Sequence, residues 1–462
     1  MMFTTYRDNR ILPVFIIAIC LVLYYSLLNS SVERFGTVRA PVNHQPVSAT
    51  VPVPKPFHRT QQTHPSGQAK LEGSDVLLIL KTGGTSMYHR LLIHLETIGN
   101  FATIDVLKNM TTAAKSHPDF DVYHAVPQYV ESNVYIERAN IEGDHEGPVG
   151  GWVIDKYKFL PIMDHAGRNW PHARWYVFME HDAYIFLPNV LNYLSSFDWE
   201  APHYLGSSAF IANVTFAHGG SGFALSRGAW EMSFGNNPRL IEDFAGYTRQ
   251  HGCGDHILGR ALNEYGIRFG QNGGDKKFTW GFNGVVHWKF GFRSENWCTP
   301  LLSWHKAHSR DIARYYELEK GRDLSRERRW KLVELTPIQR PMLHGDFFKR
   351  TIAQDLDKRR EWWDNLSSLF DITSANANSP PAPQSKYNRS LWTNAWKSVD
   401  ACEAACESWD ECMQWSYYDD LCRMDDKLIM GSGFAPGMFQ RKTRLIITSG
   451  WLLHRIKDWE CN

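Results

Sequence analysis

The chain has 462 residues, with 50 basic side chains against 49 acidic ones and a formal charge of +1. That balance argues against a nucleic-acid binder, which carries a basic excess or stripe, and the length suggests two or three domains at roughly 150 residues each. Hydrophobic residues at 43% and charged residues at 21% exclude wholesale disorder.

At the N-terminus, Ile11 to Leu28 is an uncharged run that reaches the minimum length of a membrane span. Arg7 and Arg10 precede it against Asp8 alone, and positive flanks stay cytosolic. The pattern predicts a cytosolic tail at 1–10, a transmembrane signal anchor at 11–28, and a lumenal remainder. A cleaved signal peptide fits less well, because Tyr24, Tyr25 and Leu28 stand where small residues would be needed. Sequons at Asn29, Asn109, Asn213, Asn365 and Asn388 agree with a glycosylating compartment. Of eight Cys, all but Cys20 lie beyond the anchor, where disulfides can persist. Their odd number leaves one thiol free or a homodimer open.

Residues 29–74 hold scattered Pro, His, Gln, Thr and Ser without apolar periodicity and read as a stem. From Asp75 the texture changes. Val76 to Leu80 predicts a buried strand, Lys81-Thr82-Gly83-Gly84 a turn, and Met87, Leu91, Leu92, Leu95 and Ile98 a helix. Trp175 to Met179 predicts a second buried strand, and strand and helix patterns alternate onward. Residues 75–310 therefore read as an α/β domain. Charged, helical patterns fill 311–370, a Pro-, Ser- and Asn-rich linker spans 371–390, and a Cys-bearing module occupies 391–440. The tail 441–462 contains a short amphipathic segment.

The chemistry-bearing residues begin where the second strand runs into Glu180-His181-Asp182. Ligands of open α/β sheets bind beyond the carboxyl ends of strands, and acids placed there can coordinate a hard divalent cation that in turn holds a diphosphate. Gly219-Gly220-Ser221-Gly222 is a turn that lets backbone approach a ligand closely. Asp255 opens a helical pattern, where it fits either a helix cap or a general base. His305 ends an apolar stretch and can complete a carboxylate metal site as a neutral imidazole.

Taken in order, these segments resemble the inverting β-1,3-glycosyltransferases of the Fringe and core 1 galactosyltransferase type (glycosyltransferase family 31), in particular their fungal relatives. The resemblance is carried by Leu80-Lys81-Thr82 with the helix through Arg90, Trp152 to Lys158, Glu180-His181-Asp182, Gly219 to Phe223, Cys253 to Gly259, and Ser303-Trp304-His305. It implies a GT-A fold with a Rossmann-like mixed sheet, a single-pass type II Golgi or secretory-pathway membrane protein, a UDP-sugar donor and Mn²⁺. Asp182 and His305, with Glu180, would hold the metal, and Asp255 would deprotonate the acceptor hydroxyl. Lys81, Thr82 and Arg90 would lie near the uridine, Gly219, Gly220 and Gly222 beside the transferred sugar, and Asp155 and His181 would complete the donor site. The acceptor would be a glycan or glycoprotein. Two departures stand out: His181 sits where the family usually has the middle of three acids, and Gly254 precedes the base instead of an acid.

The C-terminal module carries Cys402, Cys406, Cys412 and Cys422, which allow three pairings. Its spacing is similar to a truncated PAN/apple domain, which implies protein or carbohydrate binding. Cys253 and Cys298 are available to pair with each other, leaving Cys461 odd. The competing functional expectation is a weak or inactive transferase-like protein that binds glycans through this module.

Overall fold

The computed structural model describes residues 71–83, 87–97, 104–108, 110–131, 151–270, 281–323, 333–334, 341–356, 358–433 and 446–461. These all fall in one unit, Pro65–Asn462. The two longest apolar runs form its centre. β1 (Val76–Lys81) lies parallel to β2 (Trp175–Glu180), in a register that sets Val76 against Trp175 and Lys81 against Glu180. Strands apolar on both faces need cover on both faces. Phe159, Met163, Phe178, Phe223 and Ile257 supply one layer, and Val177, Met179, Val190 and Leu205 the other.

The next strands depart from expectation. The sheet order is β1-β2-β7-β4, where β4 is Tyr204–Gly206 and β7 is Phe223–Ser226, and both new pairings are antiparallel. Between them, β5 (Ser208–Ile211) and β6 (Val214–Ala217) form a hairpin that reverses at Ala212 and Asn213, both at positive φ. A parallel neighbour needs a crossover of about a dozen residues or more, usually helical, and this tight reversal leaves none. The GT-A, Rossmann-like sheet implied by the resemblance is therefore corrected. The described chain is mixed α/β with several small sheets, and a single parallel pair lies in the central one.

A second small sheet positions the candidate site. β3 (Tyr184–Ile185) runs antiparallel to β9 (Ser303–Trp304), which lies parallel to β8 (Phe282–Asn283). Trp304, Phe292, Trp297, Phe347 and Phe348 form the core beneath it, so the helix His344–Thr351 is packed into the same body.

The C-terminal sheet has five antiparallel strands, in the order Arg359–Glu361, Thr448–Trp451, Gln414–Tyr418, Leu421–Asp425, Phe370–Ile372. It thus draws strands from residues before 391 and after 440. The Pro-rich stretch packs on it as well: Trp392 Nε1 donates to the Pro381 carbonyl at 3.0 Å and Trp409 Nε1 to Ser385 Oγ at 2.8 Å. Disulfides join Cys402 to Cys422 and Cys406 to Cys412. The expected Cys253–Cys298 pair does not form. Cys298 is bonded to Cys461, brought there by the packing of Trp459 on Trp297, and Cys253 is the free thiol among the described residues.

The sequons separate by environment. Asn213 is exposed at the hairpin turn, whereas Asn365 is fully buried and donates to the Trp415 and Gly450 carbonyls. Asn388 caps the helix Arg389–Thr393, and Asn29 and Asn109 lie outside the described residues. So does the expected anchor at 11–28. Among the described residues no helix is long and apolar enough to cross a membrane, and the Golgi-membrane placement is withdrawn on that finding.

A buried polar chain braces the second sheet. His344 Nδ1 donates to the Thr299 carbonyl at 2.9 Å, and its Nε2 accepts from Asn283 Nδ2 at 3.0 Å. Asn283 also donates to the Ser303 carbonyl at 2.8 Å, and Ser303 Oγ donates to the Ser221 carbonyl. Burial pushes the His344 imidazole down to about 4, only partly countered by the Thr299 carbonyl. Because the folded state resists protonation that the unfolded chain accepts, stability is complete above about pH 6.5 and falls as pH drops toward 4. The loss from this group is about 3 kcal/mol. Denaturant melts at pH 7, 5.5 and 4.5 should show His344→Gln less stable at pH 7 but with a flatter acid dependence than wild type.

Candidate metal and donor site

β2 ends at Glu180, and a tight turn closed by Ala183 N–H to the Glu180 carbonyl at 3.0 Å leads into β3. Antiparallel pairing of Tyr184 with Trp304 then brings the residues before β3 against those after β9. Ala307 N–H reaches the Asp182 carbonyl at 2.8 Å. Asp182 and His305 face each other as a result, with Asp182 Oδ2 at 3.5 Å from His305 Nε2. One ligand atom from each of Glu180, Asp182 and His305 lies within 4.8 Å of the others, and Asp182 and His305 are buried.

The donor set suits a hard or borderline divalent cation. His305 Nδ1 donates to the Gly284 carbonyl at 3.1 Å, which turns Nε2 toward Asp182. Metal-binding imidazoles are commonly fixed by this kind of outer hydrogen bond. Burial alone would lower the His305 pKa, but the Asp182 carboxylate, then Glu180 and the Gly284 carbonyl, raise it above the ordinary value. The same surplus of negative charge would favour a cation in place of the proton. The triad can hold a metal ion.

The glycine turn packs directly on these ligands. A Cβ on Gly220 would stand 2.2 Å from His305 Cε1, and one on Gly219 would stand 2.9 Å from Phe159 Cζ and 3.2 Å from Glu180 Oε1. Gly222 adopts φ +80°, and a Cβ there would meet Ile185 Cδ1 at 2.9 Å. Asp255, in the first turn of the helix Gly254–Glu264, accepts the Gly219 N–H at 2.8 Å through Oδ2 and the His256 N–H at 2.8 Å through Oδ1. It is therefore a neighbour of the triad through Gly219 and not a member of it. Gly220→Ala should displace the His305 ring, costing about 1–3 kcal/mol of stability by overpacking. Calorimetric titration with Mn²⁺ should show its affinity reduced at least about tenfold.

Behind the triad, buried Lys81 at the end of β1 bridges Glu180, at 2.8 Å, and Asp155 at the end of the helix Gly151–Asp155. Its ammonium also lies 4.6 Å from the centre of the Phe159 ring. Burial would lower the Lys81 pKa, but the two carboxylates outweigh it and hold the side chain protonated. Burial raises Asp155, yet Lys81 and Lys158 overcome that and hold it below the usual carboxylate range. Glu180 is the exception: burial, with repulsion from Asp155 and Asp182, keeps it raised despite Lys81. Lys81→Met would remove the cation and leave two crowded carboxylates, a change worth about 3–5 kcal/mol of lost stability. Thermal melts should show the loss, and added Mn²⁺ should recover part of it by replacing the missing positive charge.

Two of the remaining predicted residues lie beside this centre through their backbones. The Thr82 carbonyl accepts from Lys158 Nζ at 3.4 Å. The His181 carbonyl accepts from His94 Nε2 at 2.8 Å, so its backbone ties the acid turn to the helix Met87–Thr97. Arg90 belongs to that helix, and its side chain lies outside the described residues.

Sequence reasoning missed His218 and Gly284, and gave Lys158 a place in a motif without a role in the site. His218 lies 5.3 Å from His305 between ring centres, and its Nδ1 accepts the Ser221 N–H at 3.2 Å. Burial and the neighbouring His305 lower its pKa. Its place immediately before Gly219-Gly220 was the available signal. Gly284 contributes only a carbonyl, for which a sequence holds no signal. No family model matches the chain, and no curated protein matches it either.

Proposed function

We propose that this chain is a divalent-cation-dependent glycosyltransferase that moves a hexose, galactose first, from its UDP conjugate to a hydroxyl of a glycan or glycoprotein. The observation that carries the reading is the convergence of Glu180, Asp182 and His305 within 4.8 Å at the ends of β2 and β9. The resemblance of the ordered motifs supports it further. Mn²⁺ is the proposed cation, since mixed carboxylate and imidazole ligands suit it. When bound, such a cation neutralises charge on a departing nucleotide diphosphate.

In this reading Asp182 and His305 are the principal ligands. Glu180, already engaged by Lys81, balances charge behind them. Lys158, held near Asp155 at 3.1 Å, adds positive charge on the side proposed for the nucleotide. Asp255 is the proposed base: each of its oxygens accepts one backbone N–H, which fixes the carboxylate's orientation and leaves lone pairs for an acceptor hydroxyl proton. A single displacement with base and leaving group on opposite sides of the anomeric carbon inverts that centre.

The test is calorimetric titration of UDP into the full chain with and without Mn²⁺, beside Asp182→Ala, followed by a screen of UDP-sugars for slow donor hydrolysis. UDP binding that needs Mn²⁺ and weakens at least about a hundredfold in the variant is the expected result. A folded wild-type chain that binds no UDP in the presence of Mn²⁺ would overturn the proposal.

A further inference from the structure

A cleft of about 410 Å³ opens beside the triad, within the usual range for small-ligand sites. Gly284 belongs to both: its carbonyl holds His305 Nδ1 at 3.1 Å, and its backbone lines the cleft. Phe282, Val285 and Phe290 give the cleft apolar surface, while Ser207, Arg293 and Glu295 add a hydroxyl, a guanidinium and a carboxylate. The lysines of the site, Lys81 and Lys158, are on the Asp155 side and do not line it. Among the described residues its wall carries one cation and one anion, a balance that gives no preference for a polyanion such as a diphosphate. A neutral ring with an apolar C–H face and a rim of hydroxyls matches this mixture.

One wall, Phe290 to Asn296, is backed by the C-terminal module. Phe292 and Leu428 exchange backbone hydrogen bonds of 2.8 and 2.9 Å, Gly431 N–H reaches the Trp288 carbonyl at 2.8 Å, and Arg293 is ion-paired with Asp426. Gly291 lies so close that a Cβ would stand 2.7 Å from Lys427 Cδ. From within, Phe290 is stacked on His344 at 5.0 Å and meets Trp304 edge-on at 5.1 Å. The wall is thus clamped between the module and the core that carries His305.

We propose that this cleft binds a pyranose ring, and that the Cys-rich module contributes to sugar recognition by holding the cleft wall and not by a site of its own. The ring's role as acceptor rests on the transferase reading; its binding does not. A sugar seated there lies next to His305 by way of Gly284. Its C–H face rests on Phe290 and Val285, and Glu295 and Ser207 receive its hydroxyls.

Saturation-transfer NMR on the full chain tests this with the methyl β-glycosides of galactose, glucose and N-acetylglucosamine as probes. At least one should bind wild type and Asp182→Ala alike. Val285→Trp, which fills the cleft, should abolish binding. Glu295→Ala, an exposed change that leaves folding intact, should weaken it at least about fivefold through the lost charged hydrogen bond. Three outcomes overturn the proposal: no glycoside binds wild type, binding survives Val285→Trp and Glu295→Ala unchanged, or binding disappears in Asp182→Ala. Failure of the transferase reading is separately visible as absent Mn²⁺-dependent UDP binding on the same wild-type sample.

Discussion

The pairing of Tyr184 with Trp304 is the constraint on which the candidate site depends. It lasts only two residues on each strand, yet it turns a strand-end acid and a distant histidine into neighbours. Trp304, fully buried against Phe290, Phe292 and Phe347, anchors it. A two-residue pairing has little stability alone, so the aromatic core beneath it supplies the rigidity that a metal-binding geometry needs. The buried relay through His344, Asn283 and Ser303 to the Ser221 carbonyl extends that rigidity into the glycine turn.

Charge organises the other side. Glu180, Asp182 and Asp155 would repel one another in a poorly solvated space, and Lys81 is the internal cation that makes their proximity tolerable. Lys81 reaches them because the parallel register sets it opposite Glu180 at the ends of β1 and β2. The residue that resembles a nucleotide contact in sequence is thus first a counter-ion for the acids. A bound cation would add to a balance that Lys81 has only partly established.

The C-terminal module and the α/β part share structure instead of being strung on a linker. The helix His344–Thr351 packs into the core that carries Trp304, strands from 359–372 and 448–451 complete the module's sheet, and Cys298–Cys461 ties the tail to the segment after Trp297. The Pro-rich stretch that reads as linker is held by Trp392 and Trp409. Proline marks where regular structure stops, and it carries no information about what large aromatic side chains elsewhere will cover.

Local pattern determined the strands Val76–Leu80 and Trp175–Met179, the helix after Asp255, and the placing of Glu180, Asp182 and His305 at the ends of apolar runs. Those features follow from periodicity and burial, which act over a few residues. The tertiary structure alone decided that Asp182 meets His305, that Gly220 packs on His305 and Asp255 holds Gly219, and that Cys298 bonds Cys461 in place of Cys253. It also decided strand direction: the reversal at Ala212-Asn213 makes β4 and β7 antiparallel, where the resemblance had implied a Rossmann-like sheet. Pairings between distant segments depend on competition among all available partners for the same buried surface, and a one-dimensional pattern does not contain the outcome of that competition.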